Sequence, residues 1–360
     1  MKLRCGVVGL GRGKQFVRAF SQTEGCEVVA VCDPEPATFS GLPPDGTYRT
    51  YTAYPSFLDE ALDIVAVISP GPVHAEQSLA ALERGCHVLC ETPCIYSVEE
   101  ARAVVEAVRR KGLKFMLAEN YIWMDWFAAL QEMAAEGKLG EIVFAEGDYT
   151  HDCRDFMLLD EGRHVPYASW KDHPNARKTW RATHLPPLQY CSHTLGPILR
   201  LMGDRVVSAY GLSIGGKVAP DLVPTELEAA LFQTQKGGII RLTNGFAVAH
   251  PVAFYFNFVG ARGSAKILNA GGTCARCWTE LGGAPGQWQE FPAEFFRAPG
   301  GRSDLDVMLG EFVESVRRDT KPPLDVHESM DMTLPGILAH QSGVQGGVKL
   351  DVPDSRAWVG

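Results

Sequence analysis

Gly9-Leu10-Gly11-Arg12-Gly13-Lys14 follows the apolar run Arg4–Val8 and opens a helical pattern. Gly9 permits a tight turn and Gly11 lets a backbone approach a pyrophosphate. The helix beyond offers free N–H groups and the positive end of its dipole. Read strictly, the spacing is G-x-G-x-G: Lys14 holds the third position of the G-x-G-x-x-G fingerprint, and Gly13 stands one residue earlier. That departure predicts looser packing of the helix on the first strand while keeping the two glycines nearest the phosphates. Asp33 ends the second apolar run at the expected distance of about 20 residues. A carboxylate there accepts bonds from the adenosine ribose hydroxyls and repels a 2′-phosphate. NAD is therefore favoured over NADP, with Arg12 and Lys14 as the cations that would temper the repulsion. Such a site serves hydride exchange.

These residues need a parallel sheet to hold them. Apolar β-rich runs occur at Arg4–Val8, Val28–Cys32, Ile64–Ile68, His87–Cys90 and Lys114–Ala118, as strands buried on both faces require. Helical patterns lie between them at Gln15–Gln22, Glu76–Arg84 and Ser97–Arg110. The last opens with the box Ser97-x-x-Glu100 and stops before Gly112. This alternation predicts an α/β fold with an N-terminal Rossmann domain, a doubly wound parallel sheet, over residues 1–120. Residues 121–360 are expected to form an α/β domain with a large, mostly antiparallel open sheet. A helix over Trp123–Ala135 leads into a strand over Glu141–Thr150, and strand-like runs recur at Val206–Ile214, Glu226–Gln233, Gly238–Val248 and Ala253–Gly260. Residues 151–190, rich in His, Arg, Trp and Pro, form the long polar-aromatic connection where a site is expected.

Composition narrows the classes. A length of 360 residues favours two domains. A formal charge of -9 without any long basic stripe argues against nucleic acid as a partner. No stretch approaches the roughly 20 apolar residues of a membrane span, and the N-terminus runs straight into a strand, so a cytoplasmic location is expected. The 10 cysteines fit a reducing compartment, with Cys5, Cys26, Cys32, Cys86 and Cys90 as small core residues. Cys274 and Cys277 form an isolated C-x-x-C, and His164, His173 and His184 lack ligand spacing. No metal is expected.

The glycine turn and Asp33, with the segments Ile68-Ser69-Pro70-Gly71-Pro72-Val73-His74 and Cys90-Glu91-Thr92-Pro93, resemble the Gfo/Idh/MocA family of glucose–fructose oxidoreductase and inositol dehydrogenase relatives. The resemblance covers most of the chain. It implies that Ser69, Pro70 and His74 line the cofactor and that Glu91, Thr92 and Pro93 sit near the nicotinamide end. Asn120 falls close to the nicotinamide ribose. It also implies a C-terminal substrate domain whose open sheet often forms an oligomer face.

Two departures from that family matter. Most of its dehydrogenases carry Glu-Lys-Pro and Asp-x-x-x-His; this chain has Thr92 for the Lys and Gln189 for the Asp, and keeps only His193. Neither a Thr hydroxyl nor a Gln amide titrates near neutrality. A closer resemblance is to the NAD-dependent α-N-acetylgalactosaminidase branch. It is carried by Gly147-Asp148-Tyr149-Thr150-His151-Asp152-Cys153-Arg154, by Trp180-Arg181 and by Tyr190-Cys191-Ser192-His193-Thr194-Leu195-Gly196-Pro197. Carried over by position, Tyr149 and His193 become the catalytic residues, with His151, Arg154, Trp180, Arg181, Gln189 and Tyr190 around the substrate. Cys191 replaces Pro and Thr194 replaces Gly in that motif, which implies a changed pocket. An imidazole, titrating near 6.5 when unperturbed, suits the removal of a hydroxyl proton. A tyrosine serves as a base only beside cations, for which Arg154, Arg181 and the oxidised nicotinamide are candidates.

From the sequence, the first of three readings is the one adopted, with the other two as alternatives. The first is an NAD-dependent oxidoreductase exchanging hydride with a sugar-ring carbon, C3 by the resemblance. The second is a glycoside hydrolase acting by transient C3 oxidation, C2 deprotonation, elimination, water addition and re-reduction. The third is a non-catalytic NAD-binding sensor. The first two act on a small-molecule sugar or glycoside, and a homo-oligomer is expected.

Overall fold

A computed structural model describes residues 2–43, 46–269, 275–280, 287–291 and 303–358; Cys274 lies outside them. The chain forms two compact units. The first comprises Met1–Trp123, Gly300–Asp331 and Asp354–Gly360, and the second Met124–Pro299 and Met332–Pro353.

The first unit is built on six parallel strands: β1 (Leu3–Val8), β2 (Cys26–Cys32), β3 (Arg49–Tyr51), β4 (Ile64–Val67), β5 (His87–Cys90) and β6 (Phe115–Leu117). Their order, β3-β2-β1-β4-β5-β6, is the doubly wound one, with its reversal between β1 and β4. Ile64, Val65, Ala66 and Val67 are all fully buried, as expected of a strand covered on both faces. The helices are α1 (Leu10–Gln22), the one-turn α2 (Tyr54–Phe57), α3 (His74–Glu83) and α4 (Val98–Lys111). Ser97 caps α4 by accepting from the Glu100 N–H at 3.1 Å. The Glu100 carboxylate reaches back to the N–H of Tyr96 rather than that of Ser97. Gly112, at φ 64°, closes the helix behind Arg109, Arg110 and Lys111, whose charges suit its negative end.

In the second unit, α5 (Asp125–Ala135) leads to β7 (Ile142–Thr150). The long connection beyond it folds into a three-stranded sheet of β8 (Leu158–Asp160), β9 (Arg163–His164) and β10 (Arg177–Lys178), followed by the short α6 (Trp180–His184). Next come α7 (Ser192–Met202), β11 (Val206–Ile214), β12 (Leu227–Thr234), β13 (Ile239–Gly245), β14 (Ala253–Gly260), β15 (Gly263–Ile267), β16 (Ala275–Thr279) and β17 (Gln289–Glu290). α8 (Asp304–Arg317) belongs to the first unit, α9 (Val326–Val344) is shared by both, and β18 (Leu350–Asp351) returns to the second. The nine-stranded sheet runs β17-β16-β15-β14-β7-β13-β12-β11-β18. It is antiparallel except where β7 runs parallel to β13.

One glycine sets how α7 meets this sheet. A Cβ on Gly147 would stand 3.0 Å from both Leu242 and Thr194 side chains and 3.3 Å from Ile198. The bare backbone at that point lets α7 lie close against β7. Tyr149, two residues along the strand, and His193, one residue before Thr194, are brought together as a result. Among the described residues no helix is long and apolar enough to cross a membrane, and no group of three or more His, Cys, Asp or Glu could hold a metal ion.

Candidate functional site

The residues expected to hold a dinucleotide lie at or just beyond the carboxyl ends of the parallel strands, on either side of the β1/β4 reversal. Gly9, at φ 87°, follows β1, and a Cβ there would lie 2.3 Å from the Ser69 backbone nitrogen. Only glycine fits. Gly9→Ala is expected to destabilise the first unit by about 1–3 kcal/mol and to weaken NAD binding. Calorimetry and NAD titration check both, and an unchanged melting temperature would refute the assignment.

Gly11 faces open space, with nothing within 4 Å of its would-be Cβ. α1 starts without a side-chain cap and with no acid in its first turn, so its N-terminus is fit to receive an anionic pyrophosphate. Gly13 corrects the expectation of loose packing. Its Cβ would stand 3.1 Å from Val7 and 3.6 Å from Ile68, so Gly13 itself performs the close helix–strand packing usually assigned to the third glycine. Lys14 instead turns outward and donates to the Ser40 carbonyl at 2.7 Å.

Asp33 is nearly buried and works on the backbone: its carboxylate accepts from Leu10 N at 2.7 Å and Glu35 N at 2.9 Å. The acid thereby fixes the glycine turn and keeps lone pairs for a ribose. Arg12 pairs with Glu91 at 2.7 Å, tying the first turn of α1 to the loop after β5. His74 is buried, with its ring between the Pro93 carbonyl (2.8 Å) and the Ser69 carbonyl (2.6 Å). Burial lowers its pKa, against the opposing pull of those carbonyls. Its place is therefore behind the lining loops, which it joins. The Ser69 hydroxyl donates to Gln77, and Pro70 caps a short 3₁₀ turn over Gly71–Val73. Thr92, before a cis Pro93, is buried with its hydroxyl unpartnered among the described residues. Asn120 donates its amide to Asp304 at the start of α8.

In the second unit, a group of aromatic rings and imidazoles gathers around Tyr149. Its ring centroid lies 5.9 Å from His193, 6.2 Å from Tyr190, 6.4 Å from His151, 5.2 Å from Phe246 and 4.1 Å from Phe254. Tyr190 meets His193 edge-on at 5.0 Å. Phe254 and Asn244 are the cross-strand partners of Tyr149 on β14 and β13. The backbone beyond β7 is pinned by His151 N to Gly245 O and by Cys153 N to Phe246 O, at 2.8 and 2.9 Å.

Four side-chain atoms on these segments are buried without a hydrogen-bond partner among the described residues: Nδ1 of His151, Oε1 of Gln189, Oγ of Ser192 and Oδ1 of Asn244. Buried polar atoms are almost always paired; of these four residues, Asn244 stands opposite Tyr149 in the sheet and Ser192 precedes His193 on α7. Ser192, Asn244, Phe246 and Phe254 are absent from the sequence-derived set. Strand alternation could have pointed to the two phenylalanines.

Other sequence expectations change here. Arg154 is not an open cation beside Tyr149. It forms a two-pronged pair with Asp152 at 2.8 and 2.6 Å and lies over the Tyr167 ring, and this pairing holds the Asp152 carboxyl below its ordinary range. Arg181, exposed and stacked on Trp180 at 4.8 Å, has no carboxylate partner among the described residues. Cys191 and Thr194, the two departures from the branch motif, go into packing. Cys191 is buried toward Met332, and Thr194 donates to the Cys191 carbonyl beside Gly147.

A sequence profile described as the oxidoreductase family's NAD-binding Rossmann fold matches residues 3–119. A glycosyl hydrolase family 109 protein of Streptomyces filamentosus is 26% identical over 395 residues, 98% of this chain and 77% of that protein. Levoglucosan dehydrogenase in complex with NADH and L-sorbose superposes with a TM-score of 0.81 at 16% identity, covering 99% of this chain and 100% of its own. The myo-inositol 2-dehydrogenase of Lactobacillus plantarum gives 0.74 at 19% identity, over 98% and 100%. Both structures share the fold described above. Residues 3–119 thus match the NAD-binding Rossmann fold of the Gfo/Idh/MocA oxidoreductase family.

Proposed function

We propose that the protein is an NAD-dependent enzyme of sugar rings whose net reaction is glycoside cleavage, begun by transient oxidation of a ring carbon. The observation that carries this reading is the pairing of Tyr149 and His193 within 5.9 Å, with Asn244 opposite Tyr149 and Ser192 beside His193 both carrying a buried polar atom without a partner among the described residues. Sugar hydroxyls would satisfy Gln189, Ser192, Asn244 and His151, with Tyr190, Trp180 and Arg181 completing the substrate surroundings. Gly9, Gly11, Gly13 and Asp33 would hold the dinucleotide, with Arg12 in the first turn of α1, Ser69, Pro70, Glu91, Thr92, Pro93 and Asn120 beyond the strands, and His74 behind them. Bound NAD supplies an electron acceptor for the ring carbon and afterwards a donor.

His193 takes the proton of the hydroxyl whose carbon is oxidised and later returns it. A ketone at C3 acidifies the neighbouring C2–H, and Tyr149 removes that proton. The C1 substituent then leaves with its bonding electrons, and water adds to the resulting enone. No pair of carboxylates is needed, in contrast to most glycosidases. Positions 92 and 189, Thr and Gln here, supply no further base, which favours this division of labour. The likeness to a glycosyl hydrolase family 109 protein over 98% of the chain supports the same reading.

Aryl glycosides incubated with catalytic NAD test the proposal. Aglycone release without net NADH is expected, whereas stoichiometric NADH identifies a dehydrogenase. Cofactor binding without either product identifies a sensor. NAD is also expected to bind more tightly than NADP, because Asp33 opposes a 2′-phosphate; tighter NADP binding in a direct titration would refute that role.

Two further assignments belong to this reading. The nine described cysteines carry free thiols, which suits a reducing cytoplasm; secretion of the native protein into the medium would contradict it. The open face of the large sheet exposes Tyr210, Leu212, Leu231 and Ile239, and a second copy would cover it. Light scattering that gives the 39.3 kDa of one chain would refute the oligomer.

A further inference from the structure

A line of rings leads outward from the catalytic pair, and its outer half has no part in the chemistry above. Starting from His193, centroids follow at 5.9 Å to Tyr149, 6.4 Å to His151, 6.5 Å to Phe156 and 5.3 Å to His164. Exposure rises along it: His193 is 6% exposed, while Phe156 is 48% exposed and His164 is exposed too. The two imidazoles meet Phe156 edge-on, at interplanar angles of 86° and 77°.

An isolated surface phenylalanine would need no explanation. This one is held in place from both sides. It lies in the 3₁₀ turn Arg154–Met157, whose next residues, Met157 and Leu158, are buried in the cluster that Tyr149 and Tyr190 also pack against. Phe156 N donates to Cys153 O at 2.9 Å, and Thr179 N donates to Met157 O at 2.8 Å. His164 is fixed on β9 by its pairing with Leu159. The inward residues of the turn are therefore locked, and Phe156 is presented at a set distance from His151, whose Nδ1 is unpartnered. Asp152 and Arg154 pair with each other, and the exposed Asp155 beside Phe156 accepts from Tyr167 N at 2.7 Å.

We infer that Phe156 and His164, with the outer edge of His151, form a subsite for the leaving group of the glycoside. Its sugar or aryl ring would stack on Phe156 and meet the polar edges of the two imidazoles. This rests on the cleavage reading: a substrate whose reacting ring lies at Tyr149 and His193 extends outward only through what is attached to that ring.

The test compares p-nitrophenyl and methyl glycosides of the same sugar, chosen from a panel of hexosides and N-acetylhexosaminides by what the wild-type enzyme turns over. Phe156→Ala is expected to lower kcat/KM for the p-nitrophenyl glycoside about five- to tenfold, mostly through KM. The methyl glycoside should stay within about twofold. His164→Ala should move the same ratio in the same direction, and Phe156→Tyr, which keeps the ring, should restore it. Equal losses on both glycosides, or none, would overturn the subsite while leaving the cleavage reading intact. A wild-type enzyme that releases no aglycone from any glycoside overturns both.

Discussion

His193→Ala is expected to reduce turnover by about 10²–10⁴-fold, the range general-base removal gives, while NAD affinity stays within about twofold of wild type. The separation follows from where the residues lie. Every loop proposed to hold the cofactor follows a strand of the parallel sheet in the first unit, whereas His193 stands at the start of α7 in the second. Its ring packs edge-on against Tyr190 and close to Tyr149, so the variant leaves a cavity, and its melting temperature must be recorded alongside. His193→Gln, closer in volume, provides the second measurement: it should remain folded and equally inactive. Turnover within a few-fold of wild type in either variant would remove His193 from the mechanism.

Tyr149→Phe is expected to separate the two halves of the reaction. The substitution deletes only the hydroxyl and keeps the ring that packs on Phe254 at 4.1 Å and on Phe246 at 5.2 Å, so stability should change by no more than about 1 kcal/mol. With a base lost from the second proton transfer but not the first, aglycone release should fall by about 10²-fold or more. Substrate-dependent formation of reduced nicotinamide in a single turnover should persist. The variant becomes a stalled dehydrogenase. Loss of both signals together would instead place Tyr149 at the first proton transfer, and loss of neither would make it a packing residue.

Much of this molecule was legible in its sequence, and the reasons are specific. The parallel strands could be read because Ile64–Val67 and their neighbours are apolar on both faces, and β14 could be bounded because its alternation ends at Gly260. The glycine turn was legible in position but not in detail. Spacing alone does not reveal that Gly13 rather than the residue after it faces Val7. α8 went unread although a capping box of Ser303 and Asp306 opens it, and its place in the first unit depends on packing that local periodicity does not record.

The site shows the same limit. Tyr149 and His193 were reachable from motif position. Their surroundings arise from cross-strand register, which sets Tyr149 opposite Asn244 on one side and Phe254 on the other, and no single strand contains that information. Arg154 illustrates the converse: its type suggested a cation for the site, and a local pair with Asp152 claims it.

The most direct test of transient oxidation is turnover in deuterium oxide with catalytic NAD, followed by mass spectrometry and NMR of the released sugar. The account predicts one deuterium at C2 per cleavage event, the original hydrogen retained at C3 and no net NADH. Released sugar with ordinary hydrogen at C2 would contradict it.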